Sequence, residues 1–104
     1  MARKERRTTY EGPAELWVDG EKRFDVVAQL NGWVEVIEVT TTGDTLIQDG
    51  VTSWGGIVLD GPGQAEVLSL MGRHLEFHFP NGKVGIAVFG DAAGTLQGIR
   101  ETPF

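Results

Sequence analysis

Apolar residues in this chain recur at every second position, in short runs punctuated by Asp-Gly and Asn-Gly pairs. Phe24, Val26, Ala28 and Leu30 share one phase, as do Leu75, Phe77 and Phe79, and then Val84, Ile86 and Val88. Successive side chains of a strand point to opposite faces, so this alternation describes antiparallel strands with one buried side. Asp19–Gly20, Asn31–Gly32, Asp49–Gly50 and Asn81–Gly82 accept positive φ at both central positions of a tight hairpin. Strands are expected near 14–18, 23–30, 33–40, 44–48, 54–59, 65–71, 73–79, 83–89 and 95–100. No segment of helical length sustains a 3.6-residue period. The expected fold is all-β: a small antiparallel β-barrel or two-sheet sandwich of about 7–9 short strands joined by tight hairpins. Its core is expected to hold Leu16, Val18, Phe24, Val26, Ala28, Leu30, Leu75, Phe77, Phe79, Val84, Ile86 and Val88. Gly55, Gly56, Gly85 and Gly98 fall inside or beside strand patterns, where glycine marks bulges or sharp bends.

The 104 residues suit one domain, and 40% apolar with 23% charged residues describe a folded globule. Net charge is −6, unevenly spread. Residues 1–7 sum to +3 through Arg3, Lys4, Arg6 and Arg7 against Glu5, leaving −9 on the rest. An acidic body argues against a nucleic-acid partner, whose affinity rests on basic surface. Residues 1–9 read as a basic flexible tail and 10–104 as a single β-barrel domain. The charges at the head are not followed by an apolar run, and no stretch reaches membrane-spanning length. With no cysteine there is no disulfide or thiolate chemistry, and a cytoplasmic location is expected.

Two segments look like echoes of one another. Each begins with Gly-Pro, at Gly12 and at Gly61, passes through Ala-Glu and an apolar stretch, and reaches an Asn-Gly pair. A duplicated three-strand meander would have this form, although short strands with common turns also match by chance.

Both histidines lie in "RHLEFHF", with Glu76 midway between His74 and His78. On a regular strand these three share a face, and two histidines with a carboxylate form a familiar zinc or iron ligand set. Neighbouring members of such a row stand nearly 7 Å apart, so three ligands on one flat face converge poorly. With Leu75, Phe77 and Phe79 on the other face, the trio reads as a solvated strand face, and no metal or cofactor is called for.

Trp17, Trp33 and Trp54 are the candidate ligand-binding residues. Trp17 shares its face with Glu15 and Asp19, an unusual place for a large aromatic. Trp33 follows an Asn-Gly pair and Trp54 precedes Gly-Gly, positions suited to a barrel mouth, where small-molecule sites form. No nucleophile–base constellation is visible, and "GDAAGT" at 90–95 lacks the lysine of a phosphate cradle.

In "YEGPAELWVDG" from Tyr10, "SWGGIVLDG" from Ser53 and "GTLQGIRETPF" ending at Phe104, the chain resembles an actinobacterial domain of unknown function, family 4873. That resemblance implies a small β domain appended to flavin-dependent monooxygenases, and it assigns no catalytic residue. A weaker resemblance is to PilZ domains, which bind a cyclic dinucleotide. Arg3 and Arg7 fit their R-x-x-x-R spacing, and Ser53 with Gly56 fit D-x-S-x-x-G, although Val51 stands in place of the Asp.

Three readings follow. The first is a non-catalytic binding or accessory module, associated with a larger enzyme or with an apolar metabolite. The second is a small barrel enzyme of isomerase or cyclase type acting on an apolar metabolite in its lumen. The third is a degenerate cyclic-dinucleotide binder. A filled interior favours the module; a hollow one holding an inward carboxylate favours the enzyme. Tyr10, Trp17 and Phe104 suggest apolar surface for a homodimer or for docking to a larger enzyme.

Overall fold

The computed structural model describes residues 2–99 and 101–104. Among these, six antiparallel strands and one short helix follow one another: β1 (Ala2–Val18), β2 (Glu21–Thr41), β3 (Asp44–Asp60), α1 (Gln64–Leu70), β4 (Leu75–His78), β5 (Val84–Phe89) and β6 (Thr95–Gly98). The strands close in the order β1-β2-β3-β6-β5-β4. Nothing helical here is long and apolar enough to cross a membrane.

Expected strands at 14–18, 73–79, 83–89 and 95–100 correspond to parts of β1, β4, β5 and β6, with Arg100 outside the described residues. Elsewhere nine short strands give way to three long ones and three short ones. Asn31–Gly32 and Asp49–Gly50 are not turns: β2 runs through the first pair and β3 through the second. Gly32 pairs with Thr8 on one side and Trp54 on the other. A β-carbon there would stand 2.3 Å from Oγ1 of Thr8 and 2.9 Å from Thr102, so close packing accounts for this glycine. Asp19–Gly20 is a hairpin as expected, with both φ angles positive at 51° and 79°.

Residues 64–70, expected as a strand, form α1. Seven residues are too few to display helical periodicity, but Val67 and Leu70 stand one turn apart and are the buried pair. The supposed echo of residues 12–20 is therefore a strand matched to a helix. Residues 2–9, expected as a free tail, form the first half of β1, where Ala2 to Thr9 pair with Ile37 to Asn31 of β2. Met1 lies outside the described residues.

The molecule has two parts. One is the barrel, closed by the later half of β1, the first half of β2, the later half of β3 and β4 to β6. The other is an arm, in which the remaining halves of β1, β2 and β3 continue beyond the barrel as an open three-stranded sheet. The arm gives the chain its length, 56 Å against 26 and 22 Å in the other two directions.

The barrel core holds Leu16, Val18, Val26, Ala28, Leu30, Leu75, Phe77 and Phe79 as expected, with Phe24 packed against its margin. In β5 the expected phase is reversed. Gly85, Ala87 and Phe89 point inward, and Val84 is 45% exposed. The cause is Trp54, 3% exposed, whose indole fills the space beneath β5 and β6. A β-carbon on Gly85 would stand 2.9 Å from that ring, and one on Gly98 only 2.3 Å from its Nε1. Two strands thus carry glycine on their inner faces because the third carries tryptophan. Tyr10, Phe79, Trp54 and Phe104 close one end, with ring centroids 5.1 to 6.1 Å apart. The Tyr10 hydroxyl donates to the carbonyl of Pro13. Tyr10 and Phe104 therefore fold back over the barrel rather than supplying free apolar surface.

Candidate functional site

Pairing of β1 with β4 and β2 builds a six-residue patch on the outside of the barrel. Glu15 stands between His78 and Asp25, and Trp17 between Glu76 and Lys22. Residues opposite one another in a sheet share a face, so the outward phases of three strands meet here. The Trp17 indole stacks on the His78 imidazole, with centroids 4.4 Å apart and planes inclined by 22°. Its Nε1 donates to Glu15 at 3.1 Å. Lys22 bridges Glu15 at 3.2 Å and Asp25 at 2.8 Å.

The electrostatics follow from those contacts. The Trp17 N–H, and then the Lys22 ammonium, hold the Glu15 carboxyl below the usual glutamate range. Asp25, and then Glu15, raise Lys22 above its ordinary value. His78 Nε2 is shielded from solvent, makes no hydrogen bond, and lies 3.6 Å from Oε1 of Glu76. Beside this patch runs an open groove of about 440 Å³ lined by Pro13, Ala14, Glu15, Asp25, His78, Phe79 and Pro80. Its walls combine apolar surface with two carboxylates and an imidazole.

The three tryptophans do not converge. Trp17 belongs to the outer patch. Trp54 is a core residue, a correction to its candidacy as a ligand contact, forced by the glycine slot that receives its ring. Trp33 is exposed on the arm and lines a second open groove, of about 240 Å³, where arm and barrel meet. Arg7, Asp49, Thr52 and Phe104 also line it.

The histidine row also separates. His74 precedes β4 and is exposed in the connection from α1, whereas Glu76 and His78 lie on the strand. Among the described residues no group of three or more histidines and carboxylates is arranged to hold a metal ion. Alternation identified the faces of Glu76 and His78 correctly. What sequence reading missed is the stack of His78 on Trp17, together with the roles of Glu15, Lys22 and Asp25. The i, i+2 spacing of Glu15 and Trp17 was a signal; the pairing of β1 with β4 was not.

The two arginines of the PilZ-like spacing are engaged with carboxylates. Arg3 pairs with Glu38 at 2.6 Å and Glu5 at 3.1 Å, and Arg7 with Asp49 at 3.2 Å and Glu5 at 3.3 Å. Glu38, and then Glu5, raise the Arg3 guanidinium above its ordinary value.

No family model matches the chain, and neither a curated protein nor a solved structure matches it.

Proposed function

We propose that this chain is a small non-catalytic binding module whose ligand seat is the outer groove beside the Trp17–His78 stack. The observation that carries the reading is the filled interior. Among the described residues every buried side chain in the core is apolar, and no polar or charged side chain is buried. An enzyme working inside the barrel needs a cavity and at least one group able to move a proton there. Phe77, Leu16 and Trp54 occupy that space instead. Functional chemistry is left to the outside, where a groove combines aromatic, carboxylate and imidazole groups.

The groove suits a ligand with an apolar body and a cationic or hydrogen-donating end. Pro13, Ala14, Phe79 and Pro80 offer contact area, while Glu15 and Asp25 offer only acceptor oxygens when ionised. Family resemblance extends the proposal to an accessory role beside a larger enzyme of flavin-monooxygenase type, with self-association or docking to that enzyme as its mode of assembly. The cyclic-dinucleotide reading is less well supported, because Arg3 and Arg7 already hold carboxylates and a phosphate must displace them.

The test is an NMR titration of the full chain with benzamidine, against benzoate as a control of opposite charge. Benzamidine is expected to shift the signals of Glu15, Trp17, Asp25 and His78, and benzoate is expected to leave them in place. Shifts confined to Trp33, Thr52 and Phe104, or equal responses to both probes, would contradict this placement of the seat.

A further inference from the structure

The arm has two open edges, and they differ. β1 pairs with β4 only from Glu15 to Trp17, so its arm segment is an edge; β3 pairs with β6 only from Gly55 to Ile57, so residues 44–54 form the other. An open edge presents unpaired N–H and C=O groups to any passing strand, and charged side chains are the usual guard. The β1 edge has that guard in Arg3, Lys4, Glu5, Arg6 and Arg7. The β3 edge is thinly guarded. From Asp44 to Trp54 its only charged residues are Asp44 and Asp49, and Ile47 and Val51 stand 62% and 75% exposed. A register shift between Asp49 and Thr52 bends the strand at Gly50–Val51, which leaves Thr45 to Asp49 as the regular stretch.

We propose that this edge pairs with the same edge of a second copy, antiparallel about a two-fold axis near the middle of Thr45 to Asp49. The two arms then form one continuous six-stranded sheet. The register selects a second copy as the occupant: about an axis at Ile47 the exposed Ile47 meets its own equivalent and each Asp49 meets Thr45, so no like charges stand directly opposite one another. Residues 2–8 and 32–53 hold four cations and five anions, a net of −1, so the remaining −5 of the chain's −6 belongs to residues outside the arm. Two identical acidic chains repel least where their arms meet, and the antiparallel arrangement sends the two barrels to opposite ends. Pairing β1 with its own copy instead sets Arg3, Lys4, Arg6 and Arg7 beside their equivalents. The interface names a surface for the self-association left open above and does not depend on the outer groove.

Sedimentation of the full chain across the micromolar to millimolar range tests this, together with the variant Ile47→Lys. Wild type is expected to approach twice the monomer mass. Ile47→Lys is expected to keep the wild-type melting temperature, its side chain being exposed, and to weaken association by about tenfold or more. Because the natural chain has no cysteine, oxidative crosslinking of Ile47→Cys, which the two-fold sets opposite its own equivalent, with Lys83→Cys on the barrel as control, reads the same interface. Faster dimer formation at Ile47→Cys supports it even where Ile47→Lys perturbs folding. A wild-type chain that stays monomeric throughout overturns the proposal, as does a dimer whose crosslinking at Ile47→Cys does not exceed that at Lys83→Cys.

Discussion

Barrel and arm are built from the same three strands, yet they exclude water from their inner faces by different means. In the barrel the inward phase of β1, β2 and β3 meets three more strands, and the space fills with Leu16, Leu30, Trp54 and Phe77. In the arm the same phase of β2 continues as Val34 and Val36, which are also buried but stand outside the barrel's core cluster. Arg3 and Glu5 stand directly opposite these valines, and the ion pairs of Arg3 and Arg7 with Glu5, Glu38 and Asp49 run across them. Long charged residues on the same face cover apolar neighbours with their aliphatic stems, as this register allows. Such a cover is thin, screened by salt and easily opened, whereas the closed barrel opens only by losing its core. One set of strands thus supplies a rigid body and a yielding extension.

The largest expected effect lies in the barrel. Phe77→Ala removes a fully buried ring and is expected to cost about 3–5 kcal/mol in chemical denaturation. Val36→Ala in the arm, equally buried by exposure, is expected to cost about 1–2 kcal/mol, since two fewer carbons are buried and the charged cover can collapse onto the gap. Equal losses at the two positions would erase the distinction between the parts.

Next comes the slot for Trp54. Gly98→Ala places a methyl group against the indole and is expected to destabilise by about 1–3 kcal/mol, as overpacked cores do. Adding Trp54→Phe is expected to return part of that loss in a double-mutant cycle. Simple additivity would mean that the glycine serves the backbone and not the ring.

The smallest effect concerns the outer patch. Glu15 has a depressed folded-state pKa, so the stability it contributes is present above its unfolded value and is lost as pH falls through the lower folded value. Trp17 fluorescence is expected to change on acidification below the ordinary glutamate range, together with loss of the Glu15–Trp17 hydrogen bond. In Glu15→Gln the acid-side transition is expected to disappear. Its persistence would assign the transition to another carboxylate.

These contrasts also mark what could be read from the chain. The clear phases of Leu16 and Val18, Val26 to Leu30, and Leu75 to Phe79 placed the barrel core, because burial of one strand face is a local property of sequence. The phase of β5 was not legible, since Val84, Ile86 and Val88 are the larger residues there and only the distant Trp54 explains why Gly85 and Ala87 face inward. Asn31–Gly32 misled for a similar reason: Thr8, Thr102 and Phe104 crowd a mid-strand glycine that looks like a turn. At the candidate site, the outward placement of Trp17 beside Glu15 was visible in the alternation, although the ring is half-buried. Its stack on His78 depends on a pairing 61 residues apart, which a period-two pattern cannot encode.

β2 runs through both parts, so hydrogen exchange along this one strand tests the two-part account most directly. At a concentration low enough to keep the chain monomeric, amides from Val26 to Leu30 are expected to exchange only through global unfolding, with a matching denaturant dependence. Hydrogen-bonded amides from Val36 to Val39 are expected to exchange faster, through a local opening that responds weakly to denaturant and is hastened by salt. A single opening free energy along the whole of β2 would contradict the account, because arm and barrel would then be one cooperative unit.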